Sequence, residues 1–513
     1  MARPRRILFF ANSDFGQANV VLATAHALLH HDPQVEVHIA SFHALEEAVH
    51  STSAFALKTT PHKHATTPTP ITFHPLDGIS WGPATFRPEV GVAATNDLTP
   101  GLVNSAKNIL LIPAVMLPWR PDEFLSLYRQ AERILSDVRP DVTVIDPIFT
   151  PGLTLCHHLK TNWLVLAPNT LKDFALPMQP RLAMLWKYPL VCSALPYPLP
   201  RSLIPLNILL NLVAAYALFT NPRIRATTAH LRAHIDPNPN RDQLSLMTAN
   251  EMGVLRAPPP GLRVLCAISP DLDYPLSVIP PHLVPCGPIV RAVGPLEGPL
   301  RAWLMRGKTL YVNLGTHLKA DVAEAREMAG AFRDTLDRAE AVGFGGRLQV
   351  LWKLGRKTRA GEKVERDKFE GEWKGVCDVL RPEIEDGRVK VTDWVDAEPK
   401  AVLESGGVVC SVNHGGANSF YEALCAGIPQ VLLPPWSDCY DFANRVEMLG
   451  IGRWANKAAK PRWRRDELAA CLEDVLFGPE AARIRERARE LAVRHPESAG
   501  REKAAGEILA AIS

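Results

Sequence analysis

Residues 407–427 read GVVCSVNHGGANSFYEALCAG. An apolar run ends at Asn413, two glycines follow, and from Asn418 apolar residues return at helical spacing, so the stretch predicts a buried strand turning sharply into a helix. Such a turn leaves the first amides of the helix as unpaired donors at the positive end of its dipole. It is a ready site for an oxyanion. Gly415 and Gly416 carry no β-carbon and let an anion approach the backbone, while His414, Asn418 and Ser419 can add side-chain hydrogen bonds. A plainer reading fits the same residues: the glycines only make the turn, Asn418 or Ser419 caps the helix, and His414 is packed.

Glu422 weighs against the plainer reading, because a carboxylate within the first turn or so of that helix can accept from a ribose hydroxyl. A second turn of the same kind, NLGTHL around Gly315 and Thr316, ends the strand candidate TLYVNLGT. Two phosphate-compatible turns in one domain point to a diphosphate. Trp394 closes another strand candidate, VKVTDW, and offers a flat surface for a base, although a lone tryptophan is more often core.

Outward from these turns, strand candidates LQVLWKLG and PQVLLPP alternate with helical patterns and predict an α/β domain over 285–475. The same grammar opens the chain. RILFF, VEVHIA, DVTVIDPIF and WLVLAP read as buried strands of a first α/β domain over 1–275, and the helical pattern VVLATAHALLHH follows the first of them. Between 171 and 260 the pattern gives way to apolar, proline-interrupted segments, expected to form a helical insertion shaping a pocket. The proline-dense ISPDLDYPLSVIPPHLVPCGPIV reads as an interdomain connection. Residues 476–513 have charged and apolar residues at helical spacing, expected as surface helices that pack back on the cleft between the domains.

Composition narrows the function. The chain has 513 residues, 47% of them hydrophobic, with 57 Lys and Arg against 54 Asp and Glu. It can bury large cores, and without a block of like charge it has no nucleic-acid footprint. The nine cysteines form no C-x-x-C pair and several lie in apolar runs, which suits reduced thiols and a cytoplasmic location. The basic N-terminus precedes only a short apolar stretch, below the length of a signal-peptide core. The uncharged run at 203–219 includes Pro205, Asn207 and Asn211 and falls short of a membrane span. A pocket-lining helix is its first reading; peripheral membrane contact through 180–220 is the second.

The segment 389–452, VKVTDWVDAEPKAVLESGGVVCSVNHGGANSFYEALCAGIPQVLLPPWSDCYDFANRVEMLGIG, resembles the nucleotide-sugar signature of the UDP-dependent family 1 glycosyltransferases. The spacing of the tryptophan, HGG-NS, glutamate, G-P and the later aspartate carries the resemblance, which extends more weakly through GTHL, VPCGPIV and the opening FFANSDFGQANVVLATAHALL. It implies two facing Rossmann-like domains of the GT-B type, the donor held mainly by the second and the acceptor by the first, in a fungal-type member. Carried over position by position, it implies Trp394 on uracil, Val395 beside it and Glu422 on the ribose. Gly315, Thr316, His414, Gly416, Asn418 and Ser419 fall around the diphosphate, and Asp438 on the sugar hydroxyls. Cys439 stands where the family usually has glutamine, which leaves the transferred sugar open.

The resemblance further implies an inverting transfer of a hexose, glucose first, from UDP-sugar to a hydrophobic small molecule, with no metal and no cofactor. Its catalytic end departs from the family. Gly16 matches the usual glycine, but Gln17 stands where a histidine would take the acceptor's proton, and an amide does not titrate. Asp146 matches the aspartate that orients that histidine; Asp14 and Asp146 are the candidate bases, Asp14 alternatively capping the following helix. The rival function is a nucleotide-sugar-binding protein that has lost its chemistry. Two metal readings are weaker. Asp271 and Asp273 in DLD lie in the proline-rich connector, and His26 and His30, one helical turn apart, lack an acid and read as a partly exposed helix face.

Overall fold

The computed structural model describes residues 3–60, 68–235, 244–358 and 365–512. The chain divides into two compact units: Met1–Asn96, Gly101–Ala292 and Ser498–Ser513 form the first, Asp97–Pro100 and Val293–Glu497 the second.

The first unit is built on β1 (Arg6–Phe10), β2 (Glu36–Phe42), β3 (Thr72–Leu76), β4 (Val142–Ile145), β5 (Trp163–Ala167), β6 (Val264–Cys266) and β7 (Leu283–Pro285). They form one sheet in the order β3-β2-β1-β4-β5-β6-β7, every pair parallel. Ile7–Phe10 and Val142–Ile145 are buried throughout, as a parallel sheet covered by helices on both faces requires. The chain order from one edge is that of a doubly wound sheet, whose crossover helices are right-handed and whose loops cluster at the carboxyl ends of the strands.

The second unit repeats the device with β8 (Lys308–Asn313), β9 (Leu348–Lys353), β10 (Val389–Thr392), β11 (Val408–Asn413), β12 (Gln430–Leu432) and β13 (Gly452–Trp454) in the order β10-β9-β8-β11-β12-β13. The helix Val322–Ala341 lays Ala325, Met328, Phe332 and Leu336 on one face of that sheet, against Leu310, Val350 and Trp352. Phe332 meets Trp352 edge-on at 5.2 Å.

Two expected boundaries move. The proline-dense connector contributes β7 to the first sheet, so that unit runs to Ala292 rather than 275 and the second begins at Val293 rather than 285. The C-terminal segment divides between the two units. Ala481–Arg494 packs on helices Ala417–Cys425 and Arg465–Phe477 within the second unit. Ala499–Ala510 instead joins the first, where Ala504, Ala505 and Ile508 are buried in the core beside the helix Phe15–His31.

Within 171–235 the expected insertion is helical and irregular, with Leu171–Ala175, Ala183–Trp186, Ile204–Thr220 and Pro222–Ile235 as its helices. Residues 236–243 of the insertion lie outside the described residues. Its small core joins Leu195, Leu210 and Ala214 to Ile109 of the helix Leu102–Leu110, an element that the sequence reading leaves unassigned.

Candidate active site

In the second unit β8 and β11 are neighbours, and their register places Asn313 opposite Asn413 at the ends of both strands. Each asparagine folds back on its own turn. The Gly315 amide donates to Asn313 Oδ1 at 3.1 Å, and the Gly415 amide to Asn413 Oδ1 at 2.9 Å. Both glycines then take the left-handed region, φ 81° and 78°, which a residue with a β-carbon enters only under strain. The two turns are thus one motif, N-x-G, used twice side by side.

The His414 ring is clasped between them. A β-carbon on Gly315 would stand 2.9 Å from its Cε1, and one on Gly416 would collide with Nε2. The close fit explains why the turns need glycine at 315 and 416. Burial holds the His414 pKa down to about 4, with the charges of His317 and Lys353 acting in the same direction. The imidazole is therefore neutral near pH 7, and its Nδ1 is buried with no hydrogen-bond partner among the described residues. Gly416 is the N-cap of the helix Ala417–Cys425. Neither Asn418 nor Ser419 takes that place: both lie in the helix's first turn, partly exposed. Thr316, after the other turn, is exposed, and Glu422 follows one turn further along the helix Ala417–Cys425.

Trp394 lies just beyond the end of β10 and is 49% exposed, which removes the core reading of that ring. Its loop is braced: the Thr392 hydroxyl donates to the Trp394 carbonyl at 2.7 Å, and the Arg356 guanidinium pairs with the Asp393 carboxylate. Val395 points the other way, into a core with Tyr311, Leu351 and Ala423, so only its backbone is presented. Asp438 is the exposed N-cap of the helix Cys439–Leu449, whereas Cys439 is buried. The cysteine is a packing residue of that first turn, and its carbonyl lies so close to Gly415 that a β-carbon there would come within 2.9 Å.

One residue of this group is absent from the sequence reading. Lys353 ends β9, its Nζ standing 4.2 Å from the Trp394 ring centroid and donating to the Gly315 carbonyl at 3.2 Å. Burial, and to a lesser extent the Lys319 charge, draws its pKa down to about 8. It places a cation between the ring and the turns.

In the first unit, Asp146 follows β4 and Asn12 lies just beyond β1. The Asp146 carboxylate accepts from the Asn12 amide at 3.1 Å, the Asn12 carboxamide at 2.9 Å and the Ile148 amide at 2.9 Å. Burial pushes its pKa up to about 6 against those hydrogen bonds, and the nearby Asp14 charge adds to the rise. Asp14 is the N-cap residue of the helix Phe15–His31, but its carboxylate makes no cap there and accepts instead from the Gly82 amide at 3.2 Å. Gln17 lies in the same first turn, with Oε1 buried and without a hydrogen-bond partner among the described residues.

The weaker metal readings dissolve into structure. Asp273 is buried and accepts from the Lys172 and Tyr274 amides at 2.9 and 2.7 Å. His26 is buried rather than partly exposed, stacked on His30 at 4.3 Å and on Phe55 at 5.6 Å. Among the described residues no three His, Cys, Asp or Glu side chains cluster as metal ligands would.

Comparison with known proteins bears on these sites. The family profile described as UDP-glucoronosyl and UDP-glucosyl transferase matches residues 368–482, the stretch with Trp394, His414, Glu422 and Asp438. Glycosyltransferase sdnJ of Sordaria araneosa is 35% identical over 463 residues, covering 89% of this chain and 84% of that protein. The chain belongs to the UDP-glycosyltransferase family. UDP-glycosyltransferase 84B1 of Arabidopsis thaliana is 36% identical over 188 residues, 36% of this chain and 35% of that one. A UDP-glucosyltransferase from Polygonum tinctorium, solved as a complex, shares the fold over 100% of this chain and 99% of that chain, with a TM-score of 0.59 at 15% identity. This UDP-glycosyltransferase is accordingly an enzyme of the GT-B fold that uses a UDP-sugar.

Proposed function

We propose that the enzyme moves a hexose, glucose in the first instance, from its UDP-sugar to a hydroxyl or similar nucleophile on a hydrophobic small molecule, inverting the anomeric centre. The observation that carries this reading is the pair of N-x-G turns clasping His414 beside the uncapped helix N-terminus at Gly416. The acceptor oxygen attacks the anomeric carbon as the bond to the diphosphate breaks. Negative charge then gathers on the departing UDP, where the amides of 417–419, the neutral His414 and the Lys353 ammonium offer preorganised donors. No metal or cofactor is invoked. Trp394 and Glu422 are assigned to uracil and ribose, and Asp438 to the sugar; buried Cys439 is not assigned to it.

For the proton, Asp14 is the better-placed base. Asp146 has both oxygens occupied and is 1% exposed, which suits a residue that positions Asn12. Gln17 Oε1, buried and without a hydrogen-bond partner among the described residues, can accept from the attacking hydroxyl and aim it only when its side chain turns toward the acceptor. The free thiols support a cytoplasmic location. Gln17 keeps alive the reading of a binding protein without chemistry, but kinship with glycosyltransferases over 89% of the chain argues against it. Incubation with UDP-glucose and a panel of phenols, sterols and aliphatic alcohols, in excess chelator, tests the proposal. Acceptor-dependent UDP release is expected; UDP binding without release from any donor and acceptor pair would overturn it.

A further inference from the structure

The helix Ile204–Thr220 turns one side into the protein and the other out of it. Asn207, Leu210, Asn211, Ala214 and Ala217 are buried. The Asn207 side chain accepts from the Leu190 amide at 3.0 Å and donates to the Leu185 and Tyr188 carbonyls at 3.0 and 2.9 Å, fixing the helix on its neighbours. On the opposite side Leu209, Leu212, Tyr216 and Phe219 form one stripe at spacings of three and four residues, 44%, 61%, 63% and 62% exposed. Leu182 and Trp186 add 65% and 45% exposed apolar surface, Trp186 on the helix Ala183–Trp186 that packs against the long one. Scattered exposed apolar residues are ordinary, but a stripe of this kind on adjoining elements marks a surface with a partner.

The charge around it says which partner. From 174 to 235 the chain contains no aspartate or glutamate, while Arg181, Lys187, Arg201, Arg223, Arg225 and Arg232 all fall there, in a protein whose charges otherwise nearly balance. Arg201 and Arg225 flank the two ends of the stripe and are exposed. Arg223 and Arg232 are held by the Pro118 and Leu244 carbonyls, and Asp122 pairs with His230, so it is the stripe with the exposed Arg201 and Arg225 that complements an anionic lipid surface. The run Arg201–Ile235 has the length and composition of a membrane-crossing helix, but Asn221 and Pro222 break it, and the Asn207 side is tied to protein. Only one side is available to lipid.

We infer that this stripe seats the enzyme on the surface of an anionic bilayer, the helix Ile204–Thr220 lying in the interface plane. The inference goes beyond the sugar-transfer reading and uses none of its residues. Flotation of the full chain with phosphatidylcholine vesicles, with and without phosphatidylserine, at low and high salt, tests it. Recruitment to the anionic vesicles at low salt is expected. In Leu212→Glu/Phe219→Glu it drops at least about tenfold, with UDP affinity and thermal midpoint unchanged. Arg201→Glu/Arg225→Glu, which alters exposed charges only, is expected to abolish the preference for anionic vesicles. The inference is overturned if no vesicle recruits the protein or neutral and anionic vesicles recruit it alike. It is also overturned if sedimentation shows a dimer that Leu212→Glu/Phe219→Glu dissociates, which would make a second copy the occupant.

Discussion

Lys353, with its ammonium over Trp394 and its pKa near 8, loses its charge just above neutral pH. Because burial lowers this pKa, the cation proposed to meet the diphosphate is present at acid and neutral pH, is half lost at about pH 8 and disappears as pH rises further. The kcat/KM for UDP-sugar is therefore expected to fall across that range, and Lys353→Met to lower it about tenfold near pH 7 and abolish the alkaline limb, as loss of one charged hydrogen bond implies. An unchanged limb in the methionine variant would remove Lys353 from the site. On the acceptor side, Asp14→Asn is expected to cut turnover at least about tenfold with an alcohol and much less with a phenol, since an already acidic acceptor needs less help. Wild-type turnover on alcohols would show that Asp14 is not the base. The sharp turn at Gly415, the helix start after Gly416 and the glutamate one turn into it were legible because glycines and helical spacing mark them in the sequence. Lys353 was not, because in LQVLWKLG a lysine at the end of a buried strand has no motif, and only the neighbouring turn gives it a role.

The N-x-G turns are the elements on which the proposed donor site stands, and their asparagine-to-glycine spacing, visible in both NLG and NHG, was the signal for the side-chain braces that the reading missed. Gly416 has φ −71°, which alanine tolerates, so any loss in Gly416→Ala comes from the His414 ring it displaces. Gly416→Ala and His414→Ala are each expected to weaken UDP binding about tenfold, and the double variant no further, a coupling read directly from a calorimetric cycle. Additive losses would mean that the glycine acts apart from the ring. The missed strands have a common physical cause. β6, β7 and β13 are three residues long, and β3 and β7 each contain a proline, which a sheet accepts because they are its two edge strands. Proline density thus concealed β7 in what read as a connector.

At the scale of the whole molecule, two doubly wound sheets were legible from alternating strands and helices, but the return of the C-terminus to the first unit was not. The helix Ala499–Ala510 carries four charged residues, and its buried side is made of Gly500, Ala504, Ala505 and Ile508 together with Arg501, which donates to the Val290 carbonyl. Small residues allow close packing against the helix Phe15–His31 without the wide apolar stripe that announces a core helix. Removing residues 498–513 is expected to destabilise the first unit by about 3 kcal/mol or more, seen as a lowered thermal midpoint. An unchanged midpoint would mean that this helix adds nothing to that core. The central claim is that the second unit holds a UDP-sugar on two braced turns around a neutral histidine. Calorimetric titration of the full chain with UDP measures this most directly. Saturable binding to the wild type, weakened at least about tenfold in both His414→Ala and Trp394→Ala, is the expected result; binding of equal strength in all three proteins, or none to the wild type, would contradict it.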